Sequence, residues 1–94
     1  MTPLQGEGRT RLDKWLWQAR FFRTRSLAAE MVEAGKVRIN ARLVKKPGAV
    51  LRLGDVLTVV QPGGVRVVRV AALSARRGPA DEARGLYTED DAPE

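Results

Sequence analysis

Between Arg11 and Lys46 the apolar pattern changes period at Gly35, from two short helical stripes to strict alternation, all within 36 residues. A chain that switches period over so short a span has to lay short helices against paired strands, so the expected class is α+β. With Arg9 included, the same span holds 11 Lys or Arg against Asp13, Glu30 and Glu33, about +8 on one small unit. A polyanion is the partner that such a surface suits.

The first stripe predicts a helix from about Arg11 to Arg20, with Thr10 and Asp13 as a capping box. At 100° per residue Leu12, Trp15, Leu16 and Ala19 share its inner face, while Asp13, Lys14, Trp17, Gln18 and Arg20 point elsewhere. Trp15 is a core residue on this reading; Trp17 is either a packed side chain or a partly exposed platform for a base or an Arg. Phe21 and Phe22 break the pattern. Thr24 caps a second helix through about Ala34, with Leu27, Ala28, Met31 and Ala34 inward and Gly35 as its left-handed stop. Arg23, Thr24, Arg25 and Ser26 therefore gather at a helix start, where amides, hydroxyls and guanidiniums all favour a phosphate.

Beyond Gly35, Val37 and Ile39 go inward and Lys36, Arg38 and Asn40 share the other face. Asn40-Ala41-Arg42 is the expected turn, a weaker signal than Asn-Gly because Ala resists positive φ. Leu43-Val44 begins the return, Lys45-Lys46-Pro47-Gly48 leaves it, and Ala49 to Arg52 adds a few paired residues. Gly54-Asp55 turns the chain into a strand over Val56 to Val60, and Gln61 to Gly64 turns it into another over Val65 to Leu73. The run Val65-Arg66-Val67-Val68-Arg69-Val70 reads as two-sided or bulged, with its register open. Pro79 starts a short helix through about Leu86, with Ala80, Ala83 and Tyr87 on one side. Two short N-terminal helices on a small, mostly antiparallel sheet of four or five strands, with a short C-terminal helix, is the expected architecture.

The chain has neither Cys nor His, which removes thiolate nucleophiles, imidazole bases, disulfides and the commonest metal ligands. Asp13 as a lone carboxylate is explained by capping or by pairing with an Arg, and Asp55 by its turn, so no catalytic residue, cofactor or metal is expected. Thirteen of the 17 basic residues are Arg, whose planar fork favours bidentate phosphate contact and leans toward nucleic acid over a membrane surface. No apolar run reaches the roughly 18 residues of a spanning helix, and Met1 to Gly8 has no signal-peptide core, so a cytoplasmic protein is expected.

The ordered pieces Arg11-Leu12-Asp13-Lys14-Trp15-Leu16, Phe22-Arg23-Thr24-Arg25-Ser26-Leu27-Ala28, Gly35-Lys36-Val37 and Gly54-Asp55 resemble the S-four RNA-binding domain, named after small-subunit ribosomal protein four. The likeness spans about Arg9 to Val60. Further on, Arg76-Arg77-Gly78-Pro79-Ala80, Glu82-Ala83 and Leu86-Tyr87 look like the segment that follows this domain in the bacterial fifteen-kilodalton heat-shock protein family. That resemblance implies a heat-stress protein that binds ribosomal RNA on free large subunits still holding a peptidyl-tRNA after translation stalls. It maps RNA contact onto Arg11, Lys14, Arg20, Arg23, Thr24, Arg25, Ser26, Lys36, Arg38, Asn40, Lys45 and Lys46, and the stacking platform adds Trp17. Two departures stand out: an acidic end where the family continues into a long basic tail, and Asn40-Ala41 in place of the usual Asn-Gly.

The expected organisation is a flexible lead-in over 1–8, the RNA-binding unit over 9–60, a strand and short helix completing the fold over 61–87, and a disordered acidic tail over 88–94. A monomer is expected. The same domain type is often attached to pseudouridine synthases and tRNA synthetases, but nothing here is left over to be a catalytic domain. The competing reading is a DNA-binding helix-turn-helix with the second helix in the major groove. Ala29, Glu30 and Glu33 on its outer side argue against it, leaving weak, nonspecific DNA binding through the same Arg cluster.

Overall fold

The computed structural model describes residues 8–73 and 79–89. Its elements in chain order are β1 (Arg9–Arg11), α1 (Leu12–Gln18), α2 (Arg25–Glu33), β2 (Val37–Ile39), β3 (Arg42–Leu43), β4 (Val50–Arg52), β5 (Val56–Gln61), β6 (Gly64–Val70), α3 (Ala80–Arg84) and β7 (Tyr87–Glu89). Five strands form an antiparallel sheet in the order β3-β2-β5-β6-β7, and β1 pairs with β4 as a separate two-stranded ribbon. This is the expected α+β architecture, with the ribbon added.

Neither α1 nor α2 is long enough to be stable alone, so both depend on the face they bury. Leu12, Trp15, Leu16 and Ala19 of the first stripe join Ala28 and Val32 in a single core with Val37, Leu57, Val59, Val68 and Val70 of the sheet. The Trp15 indole Nε1 donates to the Ala72 carbonyl at 3.0 Å, so the largest core side chain is satisfied as well as buried. Both helices end in the same six-residue closure. Phe21 N–H reaches Leu16 O and Arg20 N–H reaches Trp17 O after α1, while Lys36 N–H reaches Met31 O and Gly35 N–H reaches Val32 O after α2. Gly35 holds the left-handed position at φ 81°, as expected; Arg20 holds the equivalent one at φ 65°, where a side chain is costly.

Several expectations are corrected. The first helix starts at Leu12, because Thr10 lies in the ribbon opposite Leu51 and is not a cap. The amides of Leu12 and Asp13 donate instead to Ala49 O at 2.9 Å and Pro47 O at 3.0 Å, so the incoming loop closes the helix start. In α2 the inward position is Val32, one turn after Ala28; Ala34 is its exposed C-cap. Asn40 and Ala41 both take positive φ, 52° and 71°, giving a two-residue hairpin turn in which Arg42 pairs with Ile39 rather than belonging to the turn. The register left open in the valine run is Val56 opposite Arg69 through Gln61 opposite Gly64, without a bulge.

The C-terminal helix stops at Arg84 on a Gly85 cap, and Tyr87 leaves it to begin β7. Thr88 and Glu89 pair with Arg69 and Val68, so the expected tail over 88–94 gives up its first two residues to the sheet edge. The lead-in is likewise shortened, since Gly8 O accepts from Leu53 N–H at 3.1 Å. The rest of both segments, and Arg76-Arg77, lie outside the described residues.

Candidate nucleic-acid interface

Asp13 is the centre of the basic surface. Its side chain is only 5% exposed, yet it is ionised and surrounded by cations. Arg11 donates to it twice, from Nε at 3.1 Å to Oδ1 and from Nη2 at 3.0 Å to Oδ2. The Lys14 amide donates to Oδ1 at 2.7 Å, and Arg25 Nε lies 3.7 Å from Oδ2. Burial works to raise the Asp13 pKa, but the hydrogen bonds and charge of Arg11, the charge of Arg25 and the Lys14 amide outweigh it and hold the carboxyl below its ordinary value. The same hydrogen bonds and charge raise the pKa of Arg11. One buried carboxylate thus fixes two guanidiniums, one at the start of each N-terminal helix, and both remain partly open to solvent at 55% and 44%.

Around this pair the fold gathers most of the sequence-predicted site. Thr24 Oγ1 accepts from Leu27 N–H at 3.0 Å and so caps α2 as expected. Arg20, Arg23 and Ser26 are exposed beside it, and Lys14 is half-buried on α1. Trp17 is half-buried, which is the partly exposed position of the two expected for it. Lys45 and Lys46 are exposed on the loop whose Pro47 carbonyl closes the start of α1. The Lys45 stem runs across the end of α2, its Cε 3.5 Å from where a Gly35 Cβ would stand, which places a cation at a helix C-terminus. Among the described residues, Lys14, Arg23, Lys36, Arg38, Arg42, Lys45 and Lys46 make no ion pair, so their charge is available to a ligand.

Two residues on the hairpin stand apart. Arg38 leaves β2 on the face opposite buried Val37, away from the core that carries the helices. Asn40 is spent inside the fold: its Nδ2 donates to Asp55 Oδ1 at 3.1 Å and its Oδ1 accepts from Val56 N–H at 2.9 Å, tying the hairpin tip to the next turn. Asp55 in turn accepts from Arg52 N–H, which confirms it as a turn residue. Lys36 is exposed just past the helix stop.

The junction is braced from the sheet. Gln61 Nε2 donates to the Phe21 carbonyl at 2.8 Å, and the Phe21 ring stacks on Trp15 at 5.9 Å and against Tyr87 at 5.0 Å. Arg66 covers both rings, 4.8 Å from the Phe21 centroid and 5.4 Å from that of Tyr87, and pairs with Glu89. Sequence reasoning missed this clasp because Arg66 is 21 and 23 positions from Tyr87 and Glu89, with no local pattern to join them. The pairing expected over Ala49 to Arg52 is present as β4, but its partner β1, a three-residue strand too short to show a period, was missed. Among the described residues no helix is long and apolar enough to cross a membrane, and no group of acidic residues is set to hold a metal ion.

The family model of the S4 domain matches residues 10–57. Heat shock protein 15 of Escherichia coli strain K12 is 49% identical over 79 residues, covering 84% of this chain and 59% of that protein. The heat shock protein 15 homolog of Aeromonas salmonicida is 43% identical over 90 residues, covering 96% and 67% respectively. The trimeric structure of Vibrio cholerae heat shock protein 15 superposes with a TM-score of 0.83 at 42% identity, covering 88% of this chain and 83% of that one. The chain therefore spans about three fifths of the length of the Escherichia coli relative, 59%.

Proposed function

The chain belongs to the S4 domain family and, within it, to the heat shock protein 15 group, and from that premise we propose that it is a non-catalytic protein that binds ribosomal RNA through the α1–α2 junction. The observation that carries this reading is the buried Asp13 carboxylate, which hydrogen-bonds Arg11 and draws Arg25 to within 3.7 Å, beside Lys14 and Arg23, which make no ion pair among the described residues. Guanidiniums that are already ordered lose little entropy on meeting a phosphate, so the surface is preorganised for a nucleic-acid backbone. Paired RNA hides its base edges in a deep groove, and recognition here rests on shape and phosphate contact rather than on base reading.

The target we assign is the RNA of free large ribosomal subunits in the cytoplasm, with a peptidyl-tRNA beside the site when translation has stalled. Glu30 and Glu33, both exposed on the outer side of α2, repel phosphate and confine the contact to the start of that helix. They also count against that helix entering a DNA groove. Sedimentation of tagged protein with separated subunits tests the reading: it should travel with free large subunits and leave them as salt rises. Travel with small subunits, or with neither, would contradict it. The Vibrio cholerae relative was solved as a trimer, so equilibrium sedimentation of the free protein should accompany that experiment, with a single mass near 10.4 kDa the result that supports a monomer.

A further inference from the structure

The β1–β4 ribbon places Arg9 directly opposite Arg52, Thr10 opposite Leu51, and Arg11 opposite Val50. Because side chains alternate along a strand, Leu51 goes into the core at 0% exposure, and Arg9, Arg11, Val50 and Arg52 share the other face. Cross-strand neighbours have Cβ atoms about 5 Å apart, and like charges so placed destabilise the pair that carries them. Among the described residues neither Arg9 nor Arg52 has an ion-pair partner that would relieve this. Arg11 belongs to both surfaces: it stands on the ribbon face, and its guanidinium lies over Gly48, with Cζ 3.4 Å from where a Cβ would be, on its way to Asp13.

We propose that the outward face of this ribbon is a second phosphate site, in which Arg9 and Arg52 together clasp the RNA backbone and Arg11 links it to the helix junction. The site rests on the RNA-binding reading above and extends it by a track from α2 through Asp13 to the ribbon. Two facing arginines that have no ion-pair partner among the described residues match one phosphate or two successive ones, and bound RNA supplies a negative charge to both.

The test uses the full chain and a labelled, fully paired RNA hairpin, with affinity read against salt. The variant with Arg9→Gln and Arg52→Gln should bind about 10-fold more weakly, with a log–log salt slope shallower by roughly 1 to 2, the share of one or two phosphates. Its melting temperature should not fall, because the change removes a repulsion and leaves the Arg52 amide bond to Asp55 in place. A second variant, Arg52→Glu, separates folding from binding: facing Arg9, the new carboxylate should raise the melting temperature while weakening RNA binding still further. If either variant stays folded and binds with wild-type affinity and slope, the ribbon site is wrong. Should that happen while Lys14→Ala with Arg23→Ala still loses affinity, the junction reading survives without the ribbon. If the wild-type protein does not bind the hairpin, both readings fall.

Discussion

Asp13 shows how a single side chain sets the geometry of the whole surface. Its pKa is lower in the folded chain than its unperturbed value of 3.8, so the stability it supplies is fully present above about pH 4 to 5 and is lost as pH falls through the depressed folded value. The variant Asp13→Asn should lose about 1 kcal/mol at pH 7, a modest figure because both partner guanidiniums are more than a third exposed and screened by solvent. Its stability should also fall less steeply below pH 4 than the wild type; parallel acid-melting curves would show that Asp13 is not the group involved. Arg20 makes a complementary case. Replacing it by Gly at φ 65° should stabilise the fold by about 1 kcal/mol by denaturant titration while weakening RNA binding, since a side chain is kept where the backbone prefers none. A stabilised variant with unchanged affinity would remove Arg20 from the site. The charge cluster of Arg20, Arg23 and Arg25 was legible from sequence alone, whereas the spent amide of Asn40 was not. Its partners Asp55 and Val56 lie 15 and 16 positions away, and only the folded turn brings them together.

At the level of elements, the two short helices and the hairpin after Gly35 could be read from their periods and stop signals, and their inner faces were nearly right. What could not be read is how the junction is held. The sheet reaches it through Gln61, Arg66 and Tyr87, which meet Phe21, and β7, which completes the clasp, is a three-residue strand entering an acidic run that resembles a tail. Arg66→Ala should therefore destabilise the fold by about 1 to 2 kcal/mol, through loss of stacking on two rings and of the Glu89 pair. Urea titration measures this directly. A loss within a few tenths of a kcal/mol would show that the clasp does not brace the junction. Arg69, by contrast, is exposed on the same strand and donates to the Gly54 carbonyl at 3.1 Å, so its removal should cost less.

For the molecule as a whole, charge is the organising quantity. Residues 1–89 carry +9 of charge against the net +6, because Asp90, Asp91 and Glu94 are all in the last five residues. Cutting the chain after Glu89, which spares β7, should keep the fold and raise RNA affinity slightly; a drop in affinity would make the end a contact element. If about six phosphates are neutralised, the logarithm of the binding constant should fall against log salt with a slope of roughly −4 to −6. A slope near zero would overturn the electrostatic account. The most direct test of the junction itself is the affinity for large-subunit ribosomal RNA of a variant with Lys14→Ala and Arg23→Ala, two cations that make no ion pair among the described residues. With melting temperature checked first, folding should be unchanged and binding weaker by about 2 to 3 kcal/mol, one lost charge-assisted contact for each side chain. A folded variant that binds as tightly as the wild type would place the RNA surface elsewhere on the molecule.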